Sequence, residues 1–454
     1  MRRSSPATDA RGALLSLVGV VATASIIAPP IVISPASAVA TVGVLAVGAH
    51  LAEGPAASRY PQAAATSDVI SSITTLAQFN AVACPTVQVC VAVGTRETER
   101  HNASGALVGG SYAPIVVGSQ DGGQSWAPQH PPSVAADVLS VSCTSATNCV
   151  AVGGTESLSN GAWTSVSGVV LRTTDGSHWQ HVAVTGGTLA LDSVSCPSTS
   201  TCVAVGGTNA AGSITLRPEV LVSHDAGATW SAPKLPISQG ELQGLSCLGG
   251  SRCVAVGVVT LTSGGRFQSR PLALTTANGG GSWTAGTIAN SAGSSGGPDA
   301  VACATPTRCT SVGDTFDWCQ CGTGVPGHYA ETWTSGNGGR TWAHHVFPTI
   351  GGYDLWYASA ISCWSATQCD VAATGTTTKP GSEYYPFVVP VSSVSGGLAA
   401  GDKGVTHGLK PQFVYGLACR SASVCIGVGE NFHNQAAIEA SSSPGAWVTR
   451  YSAS

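Results

Sequence analysis

A pair of cysteines with five residues between them recurs seven times along the 454-residue chain, at Cys84/Cys90, Cys143/Cys149, Cys196/Cys202, Cys247/Cys253, Cys303/Cys309, Cys363/Cys369 and Cys419/Cys425. Successive first members stand 59, 53, 51, 56, 60 and 56 residues apart. Self-similarity at such a period marks stacked supersecondary units, not independent domains. Every pair sits in one frame, clearest where Leu191 to Cys196 is followed by Cys202-Val203-Ala204-Val205-Gly206. The flanks alternate small and β-branched residues as strands do, and turn formers such as Pro197-Ser198-Thr199-Ser200 lie between. Each frame reads as a β-hairpin.

Cysteines on either side of a hairpin turn face each other at disulfide distance. On a chain-entropy basis one such bridge adds about 2.4 kcal/mol. Zinc would need four ligands per site, and each hairpin offers two. Cys319 and Cys321 stand outside the repeat and are expected to clamp a loop of the fifth unit by bridging each other.

A second element follows each of the first five hairpins. It reads Ser119-Gln120-Asp121-Gly122-Gly123-Gln124-Ser125-Trp126 in the first unit. The third, fourth and fifth units carry versions around Asp225/Trp230, Asn278/Trp283 and Asn337/Trp342, and the second a shorter one around Asp175/Trp179. The seventh keeps only Gly445 and Trp447, and the sixth has lost the element. The pattern S-x-D-x-G-x-[ST]-W resembles the Asp-box, or bacterial neuraminidase repeat, of sialidase-like β-propellers. The whole unit is similar to the repeat of photosystem II assembly and stability factors. That resemblance implies an all-β, single seven-bladed propeller of four-stranded blades over residues 75–454, with the box joining the third and fourth strands. It is nearly silent on activity, because such propellers include hydrolases, receptors and assembly factors.

Elementary physics agrees. Units of this length hold four short strands, and a lone blade leaves both faces of its sheet exposed until neighbours cover them. The box itself reads as a structural turn: its carboxylate can accept backbone N–H groups, its glycines allow positive φ, and its tryptophan covers the turn. Calcium or ligand binding is the competing reading of the same residues.

The amino terminus carries an address. Arg2, Arg3 and Arg11 precede an apolar stretch from Ala13 to Ala28, Pro29-Pro30 end any helix, and Ala36-Ser37-Ala38 and Ala38-Val39-Ala40 fit a cleavage site. Residues 1–40 read as a secretory signal, with an uncleaved anchor as the alternative, and 41–74 as an Ala/Ser/Thr-rich linker. A secreted or cell-envelope location follows, which suits disulfides. Arginine outnumbers lysine 15 to 4, which fits a GC-rich bacterial genome. With 9% charged residues and a net charge of −4, no basic stripe exists for nucleic acid. A hydrophobic content of 43% excludes disorder.

Function should lie where the chain stops repeating. If strands run A to D, cysteine hairpins and boxes share one end of each sheet, while B–C and D–A loops share the other. In sialidase-like propellers that second end binds ligands. Between residues 310 and 435 lie 16 of the 27 aromatics. The candidate binding residues are Asp317, Trp318, Tyr329, Asp354, Trp356, Tyr357, Glu383, Tyr384, Phe432 and His433, because aromatics beside carboxylates stack and hydrogen-bond sugars or grip peptides. The bland alternative is that long loops cover themselves with their own aromatics. Adjacent His344 and His345 point to opposite faces of a strand and make a poor metal site. No catalytic set stands out: loop arginines such as Arg217 exist, but no F-R-I-P-like segment precedes the first box. The expected function is non-catalytic binding or scaffolding of an extracellular protein or carbohydrate, with a glycoside hydrolase using the same loops as the alternative. Neither cofactor nor metal is expected, nucleic acid is excluded as partner, membrane contact is limited to an uncleaved N-terminal segment, and a monomer is expected.

Overall fold

The computed structural model describes residues 70–453 apart from short stretches at 106, 160–161, 185–187, 209–215, 264–265, 291–293, 318–326, 348–352, 378–383, 397–410, 422–423, 432 and 442–446. The described residues form strands and turns only, in seven consecutive antiparallel units. Unit 1 comprises β1 (Ile70–Ala83), β2 (Cys90–Asn102), β3 (Leu107–Ser119) and β4 (Ala127–Pro128). Unit 2 comprises β5 (Asp137–Cys143), β6 (Cys149–Ser159), β7 (Ala162–Thr173) and β8 (Gln180–Val182). In unit 3, β9 (Thr188–Ser195), β10 (Cys202–Thr208) and β11 (Arg217–Ser223) are followed by a single Val222–Ser231 bridge in place of a fourth strand. Unit 4 holds β12 (Glu241–Leu248), β13 (Arg252–Ser263), β14 (Arg266–Thr276) and β15 (Thr284–Ala285). Unit 5 holds β16 (Ser295–Cys303), β17 (Cys309–Asp317), β18 (Gly327–Ser335) and β19 (Ala343–Val346). Unit 6 has β20 (Tyr353–Cys363), β21 (Gln368–Thr377) and β22 (Tyr384–Ser392). Unit 7 has β23 (Pro411–Ser421), β24 (Val424–Asn431), β25 (Ala436–Ser441) and β26 (Trp447–Ala453).

The first strand of every unit touches the first strands of both neighbours, and β23 touches β1, so the seven units form a closed ring around their innermost strands. This is consistent with the expected propeller. β1 begins at Ile70, inside the stretch whose composition reads as linker, and supplies the innermost strand of unit 1. Among the described residues no strand is shared across the closure. Arg420, at the end of β23, instead donates to the carbonyls of Val87 (2.6 Å) and Thr86 (2.8 Å), and Phe79 is fully buried in a cluster with Ile426, Val428 and Ile438.

Among the described residues the core divides into seven apolar clusters, one at each contact between neighbouring units. The tryptophans of the boxes take part. Trp126 packs at the unit 7–1 contact, Trp179 at 1–2, Trp230 at 2–3, Trp283 at 3–4 and Trp342 at 4–5, while Trp447 packs at 6–7. The four full-length boxes, of units 1, 3, 4 and 5, also carry a positive-φ glycine against the preceding unit, whereas Gly176 in the short box of unit 2 lies against its own cysteine turn. At Gly123 (φ 92°) a Cβ would stand 2.5 Å from Ile426 Cδ1.

All seven hairpin disulfides are formed, Cys363–Cys369 of unit 6 included, with Cα–Cα separations of 3.8–4.1 Å. They fit an oxidising compartment. The second cysteine of each pair is also buried, and Cys90, Cys309 and Cys369 have no exposed surface at all. Cys369 packs with Val371, Phe387 and Val389 in the cluster between units 5 and 6. The reason is strand parity: Cys369, like Val371 and Ala373, alternates onto the side of β21 that faces the neighbouring unit. These cysteines are therefore core residues as well as cross-links, and none of the three is an accessible site residue. No helix among the described residues is long and apolar enough to cross a membrane. The expected Cys319–Cys321 bridge and the signal segment lie outside the described residues.

Every innermost strand bulges at the residue four before its first cysteine, namely Asn80, Leu139, Asp192, Gln243, Asp299, Ser359 and Tyr415. The last residue of the V-A-V-G frame explains itself here. A Cβ on Gly206 would stand 2.0 Å from the Ala190 carbonyl oxygen, and the same close approach recurs at Gly94, Gly153, Gly257, Gly313 and Gly429. Unit 6 has Ala373 at this register position.

Candidate functional site

The cysteine turns and the boxes do share one end of each sheet. In unit 1 Ser119 Oγ donates to Asp121 Oδ1 (2.8 Å) and accepts from the Gly123 N–H (2.8 Å). Asp121 Oδ1 accepts the N–H groups of Gln124 and Ser125 (2.9 Å each), and Asp121 Oδ2 accepts from Ser125 Oγ (2.5 Å). Trp126 Nε1 donates to the Gly123 carbonyl (3.1 Å). Asp225 repeats this with Thr229. Asn278 and Asn337 keep the geometry without the charge: their Oδ1 atoms accept the N–H of Ser282 and Thr341 at 3.0 Å, and their Nδ2 atoms donate to the hydroxyls of the same residues. In the shortened box of unit 2, Trp179 Nε1 donates to Gln129 Oε1 (2.7 Å).

A backbone N–H from the box reaches the cysteine turn of its own unit, from Gly122 to Gln88, Ala226 to Ser200, Gly279 to Ser251 and Gly338 to Thr307. The hydrogen bonds set the charge state. The Ser125 hydroxyl and N–H hold Asp121 well below the usual carboxylate range, the N–H groups of His178 and Ser177 do so for Asp175, and the Thr229 hydroxyl and N–H hold Asp225 at about 2.

The opposite end receives the sequence-predicted binding residues. Asp317 ends β17, and Tyr329, 39% exposed, follows on β18 opposite Thr315. Asp354 and Tyr357 lie near the start of β20, where Trp356 occupies a second bulge. Tyr384 begins β22 opposite Thr376, and His433 is exposed in the β24–β25 turn. Ends of β17, β18, β20 and β22 and the β24–β25 turn thus bring these positions to one end of units 5 to 7. Trp318, Glu383 and Phe432 lie outside the described residues.

A set of carboxyl groups on the innermost strands of units 2 to 5 was not anticipated. Asp137 accepts from Asn80 Nδ2 of unit 1 (3.2 Å) and from the Thr95 hydroxyl, and the same Asn80 amide donates to the Val138 carbonyl (2.8 Å). Burial, and then the Asp137 carboxylate, pushes Asp192 up to about 7. Burial, followed by Asp192 and Asp299, raises Glu241, which is 5% exposed and has no hydrogen-bond partner for Oε2 among the described residues. Burial and a hydrogen-bonded Asp314 raise Asp299. Burial and mutual repulsion thus favour the protonated form of Asp192, Glu241 and Asp299. Their signal in the sequence was an acidic residue four or six positions before the first cysteine, in four successive units. A different cluster has ligand-like spacing, Asp370 with Cys419 and Cys425, but both sulfurs belong to one disulfide and offer no thiolate.

No family model and no curated protein matches this chain. Solved structures similar to it include YCF48 bound to D1 peptide, at 14% identity over 68% of this chain and 96% of that one, with a TM-score of 0.35. Trypanosoma rangeli sialidase in complex with the inhibitor DANA is similar at 12% identity over 82% and 71%, TM-score 0.44. An α-L-arabinofuranosidase from Fusarium graminearum is similar at 13% identity over 69% and 93%, TM-score 0.40. The three therefore include both binding and hydrolytic proteins, and at these scores the likeness carries no weight in deciding what this chain does.

Proposed function

We propose that the protein is an exported seven-bladed propeller that acts as a non-catalytic binding module, recognising an extracellular protein or carbohydrate through the end of the ring that carries the B–C and D–A loops. One observation carries this reading. The repeated residues are consumed by structure, the cysteines in bridges, the boxes in turns and the tryptophans between units, whereas the non-repeating aromatic and acidic positions come together at the opposite end. Non-repeating residues gathered on a rigid frame are where binding specificity is placed. The boxes accordingly serve as clamps that tie the C–D turn to the disulfide turn.

A hydrolase reading is favoured by the carboxyl groups with raised proton affinity, because a glycosidase needs one carboxylic acid that stays protonated near neutrality. A glycan array probed with the oxidised protein, and read for both retained protein and lost sugar, separates the two. Retention without cleavage supports the binding module, cleavage supports the hydrolase, and silence on every glycan moves the expected partner to protein.

A further inference from the structure

Between units 4 and 5 the staple end departs from its own repeat in charge. A cavity of about 530 Å³ opens between units 4 and 5, walled by the two neighbouring boxes and by the disulfide turns beneath them. Both boxes carry asparagine, Asn278 and Asn337, where units 1 to 3 carry ionised Asp121, Asp175 and Asp225. The same cavity is lined by two arginines, Arg252 beside Cys253 and Arg340 inside the fifth box. The corresponding positions in unit 1 are Val89 and Gln124, and in unit 3 Thr201 and Ala228. Neither guanidinium has an ion pair or hydrogen bond among the described residues, and no Asp or Glu lines the cavity.

We infer that this cavity is an oxyanion site, taking a carboxylate, sulfate or phosphate group of a ligand between Arg252 and Arg340. The chemistry is local. Guanidinium groups present planar, paired donors that match oxyanions, and an acidic neighbour would occupy those donors or repel the ligand. Replacing Asp by Asn in both flanking boxes removes two negative charges, while Oδ1 still accepts the turn N–H groups of Ser282 and Thr341. The clamp is kept and the charge is not. The two arginines, with the hydroxyls of Ser282 and Thr305, bring donors to the cavity lining.

The test titrates the oxidised full-length protein by calorimetry with sodium sulfate, sodium phosphate and sodium glutarate, each at constant ionic strength set with sodium chloride. Saturable one-site binding of at least one of them is expected, and which one saturates identifies the oxyanion. Arg252→Gln/Arg340→Gln should weaken it at least tenfold. Asn278→Asp/Asn337→Asp should also weaken it at least tenfold with Tm unchanged, because Asp already occupies the same position in three other units. Lys234→Gln, an exposed cation of unit 3, should bind as the parent does. Absence of saturable binding by all three salts, or full binding by the Asn278→Asp/Asn337→Asp protein, would overturn the inference.

Discussion

Asp225 and Asp192 are both aspartates, and their surroundings give them opposite roles. Asp225 is held as the anion by the hydroxyl and N–H of Thr229, so its folded-state proton affinity falls below the ordinary value of 3.8. A lowered value means its stabilisation is present above about pH 4 and is lost as the pH falls through about 2. Asp225→Ala should therefore lower Tm by a few degrees at pH 7, Asp225→Asn should cost less because units 4 and 5 use asparagine, and the Ala difference should shrink towards pH 2 in a thermal-melt series. Asp192 is raised from 3.8 to about 7, so its folded form is favoured when protonated. That contribution is present below about pH 4 and lost as the pH rises through about 7. Asp192→Asn should stabilise the protein at pH 8, on the order of 2 kcal/mol once solvent screening is allowed for, and do nothing at pH 4. Equal effects at the two pH values would show that the carboxyl is not desolvated. The role of Asp225 was legible from its motif. That of Asp192 was not, because strand periodicity assigns sides by parity and a bulge breaks the parity at that residue.

At the scale of the element, the hairpin is the unit that the chain copies. Its cysteine turn, its bulge and the residue opposite form one device: in six units the kinked inner strand brings a carbonyl to within about 2 Å of where a Cβ on the facing glycine would stand, whereas unit 6 accommodates Ala373 at that position. Gly206→Ala is expected to destabilise the fold by about 2–4 kcal/mol through backbone displacement, whereas Ala373→Gly in unit 6 should change stability by under about 1 kcal/mol; chemical denaturation measures both. Hairpins and disulfide pairing were readable because turn residues and period-two alternation are local signals. The burial of Cys369 and its counterparts was not, because it depends on the neighbouring unit that covers that side of the strand. The sixth unit as a whole was harder to read. It lacks the box, yet Ser393 donates its N–H to the Thr367 carbonyl (3.0 Å) and its hydroxyl to the Ala366 carbonyl (3.0 Å), restoring the tie with no motif to announce it.

For the whole molecule, closure decides whether seven units behave as one. Many rings are fastened by exchange of a strand; here β1 and β23 each pair within their own unit, and the fastening is made by Arg420, the Phe79 cluster and a backbone hydrogen bond from the Ala77 N–H to the Asn434 carbonyl (2.9 Å). Arg420→Gln removes donors to two carbonyls and is expected to cost about 1–3 kcal/mol and to speed limited proteolysis between units 7 and 1, with other seams unaffected. Ring size was legible from the count of hairpins, but the manner of closure was not, because contacts between residues more than 300 positions apart leave no periodic trace.

In the proposed function the repeat builds the scaffold and the non-repeating end of units 5 to 7 does the binding. The most direct measurement is the affinity of the Trp356→Ala/Tyr357→Ala protein, against the parent, for the partner that the array or an envelope-protein screen identifies, with Tm recorded on the same samples. A loss of tenfold or more in affinity at an unchanged Tm is predicted. Unchanged affinity in a folded double variant would contradict the claim and move the binding surface elsewhere on the ring.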